Sequence, residues 1–99
     1  MFRELPIKGI SRYLIDERLE GEPLHLHISE VGPGGRSHPP HRHGGFEAFY
    51  ILDGVATLEI DDERLTLRAG ETAVFDPNRL HGLLNEGEVP IRYIVVLRP

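Results

Sequence analysis

The chain contains no cysteine, which excludes a disulfide framework and the thiolates that structural zinc fingers and iron–sulfur clusters are built on. It also lacks any apolar stretch near the roughly 20 residues that a membrane-spanning helix requires. Residues 1–10 carry Arg3, Glu4, Pro6 and Lys8 where a signal peptide would have an apolar run. The expectation is a cytoplasmic protein with no membrane partner. Positive charge is scarce: 11 Lys and Arg stand against 16 Asp and Glu, a formal net charge of −5. Nucleic-acid surfaces need the opposite balance, and no helix-turn-helix segment is visible, so no nucleic-acid partner is expected. With 99 residues there is room for one hydrophobic core, and a single domain over 1–99 follows.

Helix-period patterning is almost absent as well. β-branched and aromatic residues come in short runs separated by glycine, proline and acidic turns, which is the pattern of an all-β chain. The runs predict strands over 12–16, 24–31, 46–52, 55–60, 64–67, 72–75, 80–85 and 91–97, with a Gly/Pro/His-rich loop over 32–40. Asp53-Gly54 and Asp61-Asp62-Glu63 mark hairpin turns. In the last run Ile91, Tyr93, Val95 and Leu97 take one face while Ile94 and Val96 take the other. A strand apolar on both sides is buried on both sides, and a second copy of the chain is one way to cover it. A homodimer is therefore expected.

What the chain does have is histidine in a metal-ligand pattern. On a strand His41 and His43 point to the same side, with Arg42 opposite. Glu47 would lie about 13 Å further along a straight strand, beyond shared ligation. Gly44 and Gly45 allow a reversal, so that Phe46 and Glu47 start a second strand folding back beside the first. Downstream, His81 offers a third imidazole. Three imidazoles and one carboxylate suit a divalent first-row transition metal.

At these positions the chain resembles the cupins. Their first motif, G-x5-H-x-H-x3,4-E-x6-G, is matched over 35–54 by Gly35, His41, His43, Glu47 and Gly54. Their second, G-x5-P-x-G-x2-H-x3-N, is matched over 70–85 by Gly70, His81 and Asn85. Asp76 and Asn78 replace the usual proline and glycine, with Pro77 between them; asparagine tolerates the left-handed conformation, so Asn78 is expected to take glycine's place in the turn. The resemblance implies a double-stranded β-helix, or jelly-roll barrel. It also implies one metal ion, of iron, manganese, nickel, copper or zinc, held by His41, His43, Glu47 and His81.

The function implied is a small metal-dependent enzyme, dioxygenase-like and of quercetinase type, acting on a small oxygenated organic molecule. Lyase or isomerase chemistry would use the same ligands, and a non-catalytic metal-stabilised binding module is the alternative. No catalytic acid or base is singled out by the sequence. Phe49, Ile51, Phe75 and Leu83 are candidate pocket walls, and Arg36, Arg79 or Arg92 could meet an anionic group. His38 falls outside the motif and reads as loop decoration or a support for the ligands. His25 and His27 face opposite Leu24, Leu26 and Ile28, and ordinary alternation turns these histidines toward solvent or an interface. Asn85 reads as a residue that fixes local backbone.

Overall fold

Alternating apolar residues build two facing sheets. The computed structural model describes residues 1–99 except 8 and 22. The strands are β1 (Phe2–Leu5), β2 (Tyr13–Asp16), β3 (His25–Val31), β4 (Phe46–Asp53), β5 (Val55–Ile60), β6 (Glu63–Arg68), β7 (Thr72–Phe75), β8 (His81–Leu84) and β9 (Ile91–Arg98). No helix is found among the described residues. Eight of these strands fall within a residue of the expected bounds at either end; β1 was not foreseen, because Phe2-Arg3-Glu4-Leu5 has no clear alternation.

The larger sheet has the order β3-β9-β4-β7 and the smaller β6-β5-β8, and every pairing is antiparallel. Isolated bridges from Arg36 to Leu84 and from His41 to His81 run the loop before β4 along the free side of β8. Phe49 and Ile51 of β4, Ala56, Leu58 and Ile60 of β5, Leu83 of β8 and Ile91, Tyr93 and Val95 of β9 meet in one buried core between the sheets. This is the expected all-β barrel. β1 and β2 form a separate two-stranded ribbon. The ribbon is tied to the barrel where the Tyr13 hydroxyl donates to the Leu24 carbonyl, and Gly9 lies against the backbone of Ile28.

Three expectations need correction. Residues 41–43 do not form a strand that β4 doubles back upon; His41 pairs with His81 instead, exchanging both backbone hydrogen bonds at 2.9 and 3.0 Å. Asn78 is not left-handed. Its backbone and side-chain N–H groups both donate to Asp76 Oδ1 at 2.9 Å, and this Asx turn replaces the glycine. The left-handed non-glycine residue among those described is Asp61, at φ 50°. Finally, the second face of β9 is only partly covered. Leu26, Val96, Ala48 and Val74 make one cross-strand row on the outside of the larger sheet, and Ile28, Ile94 and Tyr50 the next. Leu26 and Ile28 each remain 46% exposed and Val74 76%.

Asn85 closes the barrel as anticipated. Its fully buried side chain donates to the carbonyls of Val31 at 3.1 Å and Val89 at 2.7 Å, and accepts from the Gly87 N–H at 3.0 Å. Alanine there would strand two carbonyls and one N–H. Each unsatisfied buried group costs about 1–3 kcal/mol, partly recovered by water. The Asn85→Ala variant is therefore expected to lose about 3 kcal/mol, read from the urea midpoint at unchanged slope.

Candidate metal centre

Both sheets contribute to the site. His81 opens β8 on the inner face, opposite Ile60, and its backbone bridge to His41 sets the two rings side by side with centroids 4.8 Å apart. The His43 N–H donates to the Pro77 carbonyl at 2.9 Å, which holds the third ring 5.0 Å from each of the others. Gly45 makes the turn toward β4 at φ 89°, where a Cβ would collide with the Arg98 carbonyl. Only glycine fits both demands. Glu47 then enters from the larger sheet, 7% exposed.

The coordinating atoms of His41, His43 and His81 all lie within 4.8 Å of one another, so the three histidines could hold a metal ion. Glu47 Oε1 is 3.2 Å from His43 Nε2 and 3.1 Å from His81 Nε2. The hydrogen-bonding roles there are set from behind. His81 Nδ1 lies 2.8 Å from the Arg79 carbonyl and His43 Nδ1 lies 2.9 Å from the Gly44 carbonyl. A carbonyl can only accept, so each ring donates through Nδ1, which leaves Nε2 to face Glu47. Two ring nitrogens and a carboxylate oxygen therefore face one another, with His43 Nε2 within hydrogen-bond distance of Glu47 Oε1. His81 Nε2 is buried and, although close to Glu47, makes no hydrogen bond. Nitrogen and carboxylate donors gathered this closely fit a divalent ion.

Supporting contacts fix these rings. The Leu80 N–H donates to Asp61 Oδ1 at 3.1 Å, and Arg79 Nε donates to Asp61 Oδ2 at 2.9 Å. The turn before His81 is thereby clamped to the β5–β6 turn. Phe75 packs its ring 4.8 Å from that of His81. His38, although exposed, stacks on His41 with centroids 4.0 Å apart and planes 19° apart. It supports a donor ring rather than merely decorating the loop.

The other sequence candidates fall out as follows. Phe49, Ile51, Phe75 and Leu83 are core residues beneath the site. The three arginines are engaged with surface carboxylates: Arg36 with Glu59 at 2.5 Å, Arg79 with Asp61 and Glu63 at 2.9 and 3.0 Å, and Arg92 with Asp53 at 3.8 Å. His25 and His27 contradict the alternation argument. They lie on the inner face, half-buried, while Leu26 and Ile28 are the exposed residues. Hydrophobicity pointed the wrong way because the barrel interior is polar at this end and the outer face of β3 is apolar. The signal that could have found them is register: His25 pairs with Leu97, which pairs with Glu47 on its other side.

A family model for the cupin domain matches residues 20–97. The chain belongs to the cupin family. This cupin is 30% identical over 53 residues to an uncharacterized protein of Methanocaldococcus jannaschii, a match covering 54% of the chain and 42% of that protein. It is similar to the crystal structure of a predicted oxalate decarboxylase from Thermotoga maritima, with a TM-score of 0.67 and 25% identity over 73% of the chain and 63% of the other. A Cupin 2 conserved barrel domain protein from Salinispora arenicola shares the fold over 99% of the chain and 74% of its own length, with a TM-score of 0.72 and 20% identity. The cupin thus spans less than two thirds of the first two of these relatives.

Burial pushes the His41 imidazole down from 6.5 to about 4, and the neighbouring rings of His38, His81 and His43 act in the same direction. The ring is neutral near pH 7 and its lone pair is free. Between about 4 and 6.5 the folded chain binds fewer protons at this position than the unfolded chain. Stability is thus highest above the unfolded value and falls as pH falls through the folded one. Metal-free protein is expected to show a declining urea midpoint from pH 7 to pH 4, with a flatter decline in the His41→Gln variant. Parallel slopes would contradict the assignment.

Proposed function

We propose that this cupin is a metal-dependent enzyme of dioxygenase type acting on a small oxygenated organic molecule, with His41, His43, Glu47 and His81 as ligands. The observation that carries the reading is the convergence of the His43 and His81 Nε2 atoms on the buried Glu47 carboxylate, with His41 alongside. Glu47 offsets one charge of a divalent ion and neutral imidazoles offset none, so a net positive centre remains to attract oxygen donors. When bound, iron, manganese, nickel or copper would supply redox chemistry toward dioxygen, whereas zinc would supply polarisation alone.

The chain's own residues do the positioning. The Arg79 and Gly44 carbonyls fix the rings of His81 and His43, and Phe75 shields His81 from water on the core side. The likeness to a protein described as a predicted oxalate decarboxylase favours one further reading, non-oxidative cleavage of a small acid at the same centre. A non-catalytic binding module would hold the metal without turnover.

Protein expressed without added metal is expected to purify with about one divalent ion per chain, measured by elemental analysis. His81→Ala should lose most of that ion, while His38→Ala, which removes only a stacking partner, should lose less. Equal losses would overturn the ligand assignment. Oxygen uptake with any of a panel of catechols, flavonols, diketones and thiols would support the dioxygenase. Carbon dioxide release from small acids without uptake would replace it with the lyase, and a metal-loaded protein inert in both assays would leave the binding module.

A further inference from the structure

The two sheets differ on their outer faces. On the smaller sheet Thr57, Glu59 and Arg64 join Arg36 and Glu86 in a run of ion pairs and hydrogen bonds, a face suited to water. The larger sheet presents Leu26, Val96, Ala48 and Val74 in one row and Ile28, Ile94, Tyr50 and Thr72 in the next. Neither row contains a charged side chain. Charges stand beyond them, with Glu30, Arg92 and Asp53 in the row at one end and Arg98 beside the 64% exposed Phe46 at the other.

At ordinary strand and row spacings these four rows cover roughly 500 Å² in plan, before the corrugation of the side chains is counted. That is close to the roughly 600 Å² per partner at which stable, specific interfaces begin. An apolar centre bordered by charge is also the anatomy of such an interface. Beside it, Ile10 of the ribbon turn stands off from Leu26, Ile28 and Ile94 and leaves a groove of about 380 Å³.

We propose that the outer face of the larger sheet is the interface of a homodimer whose twofold axis runs parallel to the strands. Such an axis sets each row against its own copy and reverses the strand order, so that β9 lies over β4 of the second copy and β3 over its β7. Face-to-face sheets pack within about 30° of alignment, which keeps these pairings close to the axis. Val96 then meets Ala48 and Ile94 meets Tyr50 at the centre. Val74, 76% exposed, enters the groove beside Leu26 and Ile28. At the charged end Arg92 faces Asp53 of the second copy. Within one chain these two side chains are 3.8 Å apart and largely exposed, a loose pair with room for a second contact. An axis across the strands would instead set Arg92 against Arg98 and Asp53 against Phe46, placing like charges together and a carboxylate on an aromatic ring. A second copy therefore supplies both the apolar knob and the matching charge. Glu47 points to the opposite side of β4, so the proposal stands apart from the metal reading.

The full chain is expected to sediment as a dimer at micromolar concentration. Val74→Asp, which places a charge at the knob, should raise the dimer dissociation constant by at least about tenfold. Asp53→Arg and Arg92→Asp should each weaken self-association, yet an equal mixture of the two should recover it as a mixed dimer, which native mass spectrometry resolves from both parent dimers. A pair confined to one chain cannot produce that recovery. A monomeric unaltered chain would overturn the proposal and leave the face to a different protein. A dimer whose dissociation constant Val74→Asp changes by less than about twofold would assign association to another surface, and mixed dimers no more abundant than a statistical share would overturn the axis. If Val74→Asp misfolds by circular dichroism, the mixture of charge variants decides.

Discussion

One buried carboxylate governs the organisation of this barrel. Glu47 sits on β4, flanked along the inner face by Phe49 and Ile51, where an uncompensated charge is costly. What it faces are two imidazole nitrogens whose rings are anchored from behind by backbone carbonyls. Local devices at this end of the molecule serve that convergence. The His41–His81 bridge sets two rings abreast, the Asx turn at Asp76 leads the chain toward His81, and glycine at position 45 lets the chain pass beneath the end of β9.

Most of the scaffold was legible in the residues themselves. Strands such as β5 and β7 announce themselves by composition and by the turns that bound them, and an inside-outside alternation follows once one face is known. That His41, His43, Glu47 and His81 lie near one another was legible because their spacing matches two motifs in order. The route by which they meet was not. A hairpin inferred from Gly44-Gly45 treats the problem as local, whereas the partner of His41 is forty residues away, a pairing that no window of sequence contains.

β3 shows the limit of polarity as a guide. Leu24, Leu26 and Ile28 are more apolar than His25 and His27, so burial by hydrophobicity assigns the faces in reverse. The outcome depends on tertiary context: β9, buried through Tyr93 and Val95, takes one side of β3 and sets which residues line the interior. The β1 strand of the ribbon was hidden for a related reason, since a short strand with an exposed face carries little pattern of its own.

The donors come from both layers: Glu47 from the larger sheet, His81 from the smaller, and His41 and His43 from the loop that runs beside it. An ion bound among them would staple the two layers together across a long span of chain. A protein without a single cysteine would thereby gain a detachable cross-link. Its resistance to unfolding would then become a function of free metal concentration, through the ordinary mass-action coupling between ligand binding and folding.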